Sequence, residues 1–142
     1  MSPDLVFTRV APPSFLEAPV RSVGRREKLV VGRNMPAAAV EQYRKLAAGL
    51  HHAQVQHGTK LVMMASTLAG EGKTLTATNL ALTLSESYDR RVVVIDADLR
   101  WPSVHTVLDL PNDRGLSEAL QGLEFDLPIS QVSPRFAVLT AG

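Results

Sequence analysis

The chain has 142 residues, a length that suits one domain. Hydrophobic residues make up 45%, charged residues 20%, and the formal net charge is +1, so no strong field invites nucleic acid or an acidic membrane surface. There are no cysteines, which excludes disulfides, thiolate zinc sites and cysteine nucleophiles and suits a reducing cytoplasm.

Residues 1 to about 27 hold Pro3, Pro12, Pro13 and Pro19, then Arg21, Arg25 and Arg26. Prolines at that density remove backbone donors and oppose both helix and sheet, so an extended arm or linker is expected. The arginines read as a solvated charge run or, more sharply, as a contact for anionic lipid or a partner. The first ten residues lack a basic start followed by an apolar stretch, so no signal peptide is expected. No apolar run approaches the roughly 18–20 residues that span a bilayer, and a role at a membrane would need a partner.

The domain is expected over 28–142. Lys28 to Val31 suggests a short strand. Pro36 suits the first turn of a helix running from Ala37 to about Ala53, with Val40, Tyr43, Ala47 and Leu50 on its apolar face. Lys60-Leu-Val-Met-Met-Ala-Ser66 reads as a strand buried on both faces. After the loop from Thr67 to Gly72, a helix from Lys73 to about Ser87 keeps Ala77, Leu80, Ala81, Leu84 and Tyr88 on one side. Asp89-Arg-Arg91 makes a turn into a second buried strand, Val92–Ile95. Between Pro102 and Pro111 one or two helical turns fit. Asn112 or Asp113 is placed to cap a helix bearing Leu116, Ala119 and Leu120, which Gly122 ends. Phe136–Thr140 reads as a third strand. Buried strands alternating with helices predict an α/β fold with a parallel sheet.

The order strand, glycine-rich loop, Lys-Thr, helix points to a phosphate-binding loop. Gly70 and Gly72 let the backbone turn its N–H groups inward and let phosphates approach. The helix that follows offers unsatisfied N–H groups and a partial positive charge. Lys73 is placed to reach the β and γ phosphates, and Thr74 to put its hydroxyl on a magnesium ion. The strict pattern begins with glycine where this chain has Thr67. A dinucleotide site is the nearest chemical rival, but its third glycine is Leu75 here and it has no use for Lys73-Thr74.

Just past the second strand, Asp96-Ala-Asp98-Leu-Arg100 sets two acids and an arginine at the carboxyl edge where open α/β sheets bind ligands. In an extended segment Asp96 and Asp98 would face one cleft. Such acids can hold metal or its waters, or orient an attacking hydroxyl, and Arg100 can grip phosphate bidentately. The blander alternative has the acids capping a loop and pairing with Arg100. His51, His52, His57 and His105 form no metal-ligand pattern, and Tyr43 and Tyr88 read as packing residues inside helices.

Ser66-Thr-Leu-Ala-Gly-Glu-Gly-Lys-Thr74, Val92-Val-Val-Ile-Asp-Ala-Asp-Leu-Arg100 with Pro102, and Gly115-Leu-Ser-Glu-Ala-Leu-Gln-Gly122 occur in that order. Together with Glu41-Gln-Tyr-Arg44-Lys-Leu46 upstream, they resemble the bacterial tyrosine kinases (BY-kinases) of capsule and exopolysaccharide biosynthesis, autokinases of the CpsD/CapB/Wzc type. The likeness covers about residues 28–142. It implies a MinD/ParA-like P-loop NTPase fold that binds ATP and Mg2+ and transfers phosphate to tyrosines of a neighbouring copy. In that family Thr67, Ala69, Gly70, Glu71, Gly72, Lys73, Thr74, Leu75 and Arg100 would serve the nucleotide. Thr74, Asp96 and Asp98 would serve the metal, and Lys73, Asp96 and Asp98 the chemistry. The implied setting is cytoplasmic, with self-association and a membrane chain-length-determinant (Wzz-like) partner at the inner face of the plasma membrane.

Departures from the family pattern qualify the resemblance. The ring-assembly helix motif reads Glu41, Arg44 and then Ala47. Ala69 stands where proline is common, and Trp101 where arginine is common. No later apolar strand ending in aspartate and no tyrosine-rich tail follows, so the chain is expected to be the N-terminal part of such a domain. Two other functions stay open: an ATP-binding regulator that transfers no phosphate, and a partitioning ATPase of the ParA/MinD branch. Leu68, where those ATPases carry a signature lysine, argues against the latter.

Overall fold

The computed structural model describes residues 29–30, 35–68, 70–122 and 127–142. The expected arm over 1–27 lies outside them, as do Lys28, Val31 and Ala69. Four helices and three strands occupy the described residues: α1 (Ala37–His57), α2 (Lys73–Ser87), β1 (Val92–Ile95), α3 (Val104–Leu108), α4 (Leu116–Leu120), β2 (Ile129–Ser133) and β3 (Phe136–Leu139).

The strands form one sheet in the order β1-β3-β2. β1 and β3 run parallel, Val92 opposite Phe136 through Ile95 opposite Leu139. β2 runs antiparallel to β3, with an irregularity between Gln131 and Ser133. The sheet is therefore mixed, where the sequence pattern predicts a parallel one. β2 gives no strand signal because Ile-Ser-Gln-Val-Ser is half polar and every residue of it is only half-buried. Pro134 and Arg135 turn the chain tightly enough for β2 and β3 to pair as a hairpin.

The strand expected over Lys60–Ser66 is absent. Those residues take no regular structure, and Leu61 and Met63 are more than four-fifths exposed. An apolar run becomes a buried strand only where a neighbouring strand takes up its backbone groups, and no described strand pairs with it. The strand expected over 28–31 is not seen either: Leu29 and Val30 lie in a bend and a turn, and the Val30 N–H donates to Asn79 Oδ1 at 2.7 Å. β1 is covered on one face only. Val92 and Val94 pack on the core while Val93 and Ile95 are half exposed, because α2 lies against one side and no described element covers the other.

The core gathers Leu29, Ala81, Leu82, Val104, Val107, Leu108, Phe136 and Val138. α2 is its axle. It touches α1, β1, α3 and β3, and Thr78, Asn79, Leu80, Ala81, Leu82, Thr83 and Ser85 are all buried on it. Burial on nearly every side exceeds the single apolar face read from its pattern. The hydroxyls are made tolerable by back-bonding: Thr78 donates to the Thr74 carbonyl at 2.7 Å and Thr83 to the Asn79 carbonyl at 2.8 Å. α1 lies on α2 and continues to His57, one turn past the expected end. Its His51 ring sits 4.8 Å from the Tyr88 ring, and Arg90 Nε donates to His51 Nδ1 at 3.2 Å. Tyr88 thus packs, as its helical position suggests.

α4 is not capped by Asn112 or Asp113. Its N-cap is Gly115, whose N–H donates to Glu118 Oε2 at 2.7 Å. The next two amides leave the helix altogether: Leu116 N–H donates to the Thr140 carbonyl and Ser117 N–H to the Ala141 carbonyl, each at 2.8 Å. This close lamination explains the glycine. A Cβ on Gly115 would overlap the Thr140 carbonyl oxygen and the Gly142 amide nitrogen.

Gly115→Ala is accordingly expected to destabilise the protein by about 1–3 kcal/mol through backbone overpacking, read from urea denaturation. Glu118 supplies an acid-side component. Its carboxylate accepts the Gly115 N–H and lies near Ser117 and Arg114, and these hold its pKa below the usual glutamate value. A depressed folded pKa means stability that is present above the unfolded value and lost as pH falls through the folded one. Glu118→Gln should flatten the fall of the melting temperature below about pH 4.5 and leave its shape near pH 7 unchanged.

Candidate nucleotide site

The loop from Ser66 to Gly72 leads into α2, as its sequence requires. Gly72, the N-cap residue of α2, has φ 88°, and Gly70 has φ 80°. Side chains rarely adopt that left-handed backbone, and nothing stands within 4 Å of where a Cβ would sit on either residue. The glycines answer a backbone demand and leave open space over the loop. The first helical bond runs from Thr76 N–H to the Gly72 carbonyl at 2.8 Å, so the amides of residues 73–75 are the helix-start donors that have no partner within the helix.

Lys73 folds over this loop. Its Nζ donates to Ser66 Oγ at 2.8 Å and to the Leu68 carbonyl at 3.3 Å. Ser66 Oγ also donates to the Leu68 carbonyl, at 3.0 Å, and Leu68 N–H reaches Glu71 Oε2 at 3.4 Å. Among the described residues Lys73 has only neutral partners and no carboxylate. A cation so placed is free to meet an anion. Thr67, Gly70 and Glu71 are exposed; Gly72, Lys73, Thr74 and Leu75 are half-buried, with Leu75 packed against the core.

Asp96 and Asp98 do not share a cleft face as alternation predicts. The extended segment ends at Ile95, and the chain turns immediately after it. Asp96, 5% exposed, is drawn inward, and its N–H continues the sheet to the Leu139 carbonyl at 2.9 Å. Its Oδ2 accepts the backbone N–H groups of Ser103 and Val104, both at 3.0 Å, and its Oδ1 accepts the Asp98 N–H at 3.3 Å. Asp96 thereby caps α3 from seven residues upstream. Asp98 is exposed, and its Oδ1 takes the Trp101 N–H at 3.0 Å in a turn of its own. Arg100 is exposed and pairs with neither acid. The loop-capping alternative thus holds for the acids but not for the arginine.

The loop and the acidic segment meet through a residue the sequence did not single out. Thr74 Oγ1 lies 2.6 Å from Ser103 Oγ. Ser103 is the N-cap of α3, yet its hydroxyl makes no cap bond, while its own N–H and that of Val104 are held by Asp96. Its position just before a short helix is the only hint the sequence offers. The contact spans 29 positions and has no local signature.

Open space above two left-handed glycines, the first-turn amides of α2, an ammonium whose described partners are all neutral, and hard oxygen groups on Thr74 and Asp96 suit a polyphosphate with a small divalent cation. Comparison with known proteins agrees. Residues 62–120 match the CobQ/CobB/MinD/ParA nucleotide binding domain. Over 97 residues the chain is 39% identical to tyrosine-protein kinase YwqD of Bacillus subtilis, covering 68% of this chain and 40% of that protein. It is 33% identical to tyrosine-protein kinase wzc of Salmonella typhi over 98 residues, 69% of this chain and 14% of the other. The kinase domain of Escherichia coli tyrosine kinase ETK superposes with a TM-score of 0.73 at 29% identity, over 89% of this chain and 48% of that one.

Fold and site together define a nucleotide-binding P-loop domain of the MinD/ParA type, here with a mixed sheet. Within that class the chain is a homologue of the bacterial tyrosine kinases, and it spans about two-fifths of YwqD and about half of the ETK kinase domain.

Asp96→Ala should release α3. Losing hydrogen bonds to a buried carboxylate is expected to cost about 1.5–3 kcal/mol, measured by chemical denaturation. Asp98→Ala, at an exposed turn, should stay within about 0.5 kcal/mol of the parent protein.

Proposed function

We propose that the chain carries the phosphate-loop portion, residues 28–142, of an ATP-dependent protein-tyrosine autokinase serving capsule or exopolysaccharide synthesis. Lys73 is the observation that carries this reading: its ammonium sits over a glycine loop at a helix start and, among the described residues, has only neutral partners. In this reading the amides of residues 70–75 and the Lys73 ammonium hold the triphosphate, and Arg100 swings from solvent to assist. Thr74, Asp96 and Asp98 hold Mg2+ directly or through water; the ion would neutralise charge that builds on the transferring phosphoryl group. Asp96 would orient the incoming tyrosine hydroxyl through a lone pair left over from the backbone N–H groups it accepts. Thr67, Ala69, Glu71 and Leu75 shape the loop around the phosphates.

The same reading supplies partners and place. The acceptor tyrosines belong to a neighbouring copy, and a membrane chain-length protein recruits the chain to the cytoplasmic face. Among the described residues no helix is long and apolar enough to cross a membrane, so recruitment through a partner fits. A second reading, a nucleotide-binding regulator that transfers no phosphate, draws support from Asp98, which faces solvent and spends an oxygen on its own turn.

Transfer of label from γ-labelled ATP to protein tyrosine separates the two. The kinase reading expects labelling that depends on Mg2+ and falls about 100-fold or more in Lys73→Met, as expected when a principal phosphate-stabilising charge is removed. ATP affinity without labelled tyrosine, in a chain extended to the full length of the ETK kinase domain, would instead select the regulator.

A further inference from the structure

We propose that Ser103 is a positioning residue of the phosphate loop: its hydroxyl orients the Thr74 hydroxyl, so that Thr74 presents an oxygen lone pair to the magnesium while its proton goes to Ser103 Oγ. The inference rests on the nucleotide site proposed above and extends it to a residue outside both motifs.

Three observations lead here. The two hydroxyl oxygens are 2.6 Å apart, the short separation of a well-formed O–H···O bond. Ser103 occupies the N-cap of α3, where serine ordinarily turns its oxygen onto the helix amides, yet this one makes no such bond. Asp96 instead accepts the N–H of Ser103 itself and that of Val104, so the serine backbone is pinned to a buried carboxylate. A side chain that makes no cap bond, is anchored at its own backbone and is aimed at the hydroxyl that follows Lys73 is placed to orient that hydroxyl.

The chemistry follows from valence. A threonine hydroxyl has one proton and two lone pairs. When it ligates a cation through oxygen, its proton needs an acceptor that does not compete for the metal position. Ser103 Oγ is that acceptor, 2.6 Å from Thr74 Oγ1. Partners one step removed from a metal commonly change its affinity by about 10–100-fold when removed. A hydroxyl pair that merely tied α2 to α3 would alter stability and leave the magnesium dependence of nucleotide affinity untouched, which separates the two roles.

The test measures ATP affinity by titration calorimetry with saturating MgCl2 and again with EDTA, for the parent protein, Ser103→Ala and Ser103→Thr. The parent should bind ATP more tightly with magnesium. Ser103→Ala should lose about tenfold of that gain with its EDTA affinity unchanged, and Ser103→Thr, which keeps the hydroxyl, should restore it. If Ser103→Ala melts below the assay temperature, Ser103→Cys, close in size but a weak acceptor, is titrated in its place with the same expected loss. A magnesium gain unchanged in the variant that lacks the hydroxyl, or unrestored by threonine, overturns the role of Ser103 alone. A parent protein with no ATP affinity in either buffer overturns the nucleotide site and this proposal with it.

Discussion

The bonds from the Asp96 carboxylate to the Ser103 and Val104 amides govern how the rest of the site is placed. Burying a carboxylate is costly unless its oxygens are satisfied. Here three backbone N–H groups meet it, two of them at the positive end of a helix. The bonds fix the direction in which the chain leaves β1, and they fix where α3 begins. Because α3 brings Val104, Val107 and Leu108 into the core, the same carboxylate links the hydrophobic interior to the sheet edge. Ser103 then carries that fixed position across to Thr74 on α2.

A second clamp works at the same carboxyl edge of the sheet, on the neighbouring strand β3. β3 is buried throughout, with Phe136 and Val138 fully enclosed, and the chain beyond it meets the start of α4. Leu116 and Ser117 donate their amides to the carbonyls of Thr140 and Ala141, which solves two accounts at once: a helix start has spare donors, and a strand end has spare acceptors. Gly115 permits the approach. Ser117 Oγ adds a further bond to the Ala141 carbonyl at 2.7 Å. The segment Gly-Leu-Ser-Glu, which looks in sequence like an ordinary helix start, is therefore shaped by the strand end it meets.

How much of this was legible in the sequence depends on the range of the interaction. The phosphate loop, α2, α3 and β3 follow from local chemistry: glycines where φ is positive, a lysine and threonine at a helix start, an apolar run of four. The 60–66 run failed because its apolar composition states a preference for burial without supplying a partner. β2 was missed for the opposite reason, since a polar strand is made by its pairing with β3 and not by its own residues. Asp96 was recognised as important, but its role as the cap of α3 depends on a turn that the alternation rule does not contain. Ser103 was invisible because its partner is on another helix.

Charge is distributed in the site so that binding an anion breaks no ion pair. Asp96 is buried, and backbone N–H groups answer its carboxyl oxygens; among the described residues no side-chain cation does. Lys73 is positive, and a hydroxyl and a carbonyl answer it. If the two were paired with each other, a phosphate would have to displace a charge-assisted bond worth about 1.5–3 kcal/mol before making its own. As arranged, it displaces two bonds from the ammonium to uncharged oxygens and gains bonds in which both partners are charged. Acid and ammonium are thus satisfied separately among the described residues, Asp96 by the amides at the start of α3 and Lys73 by the loop that a phosphate would enter.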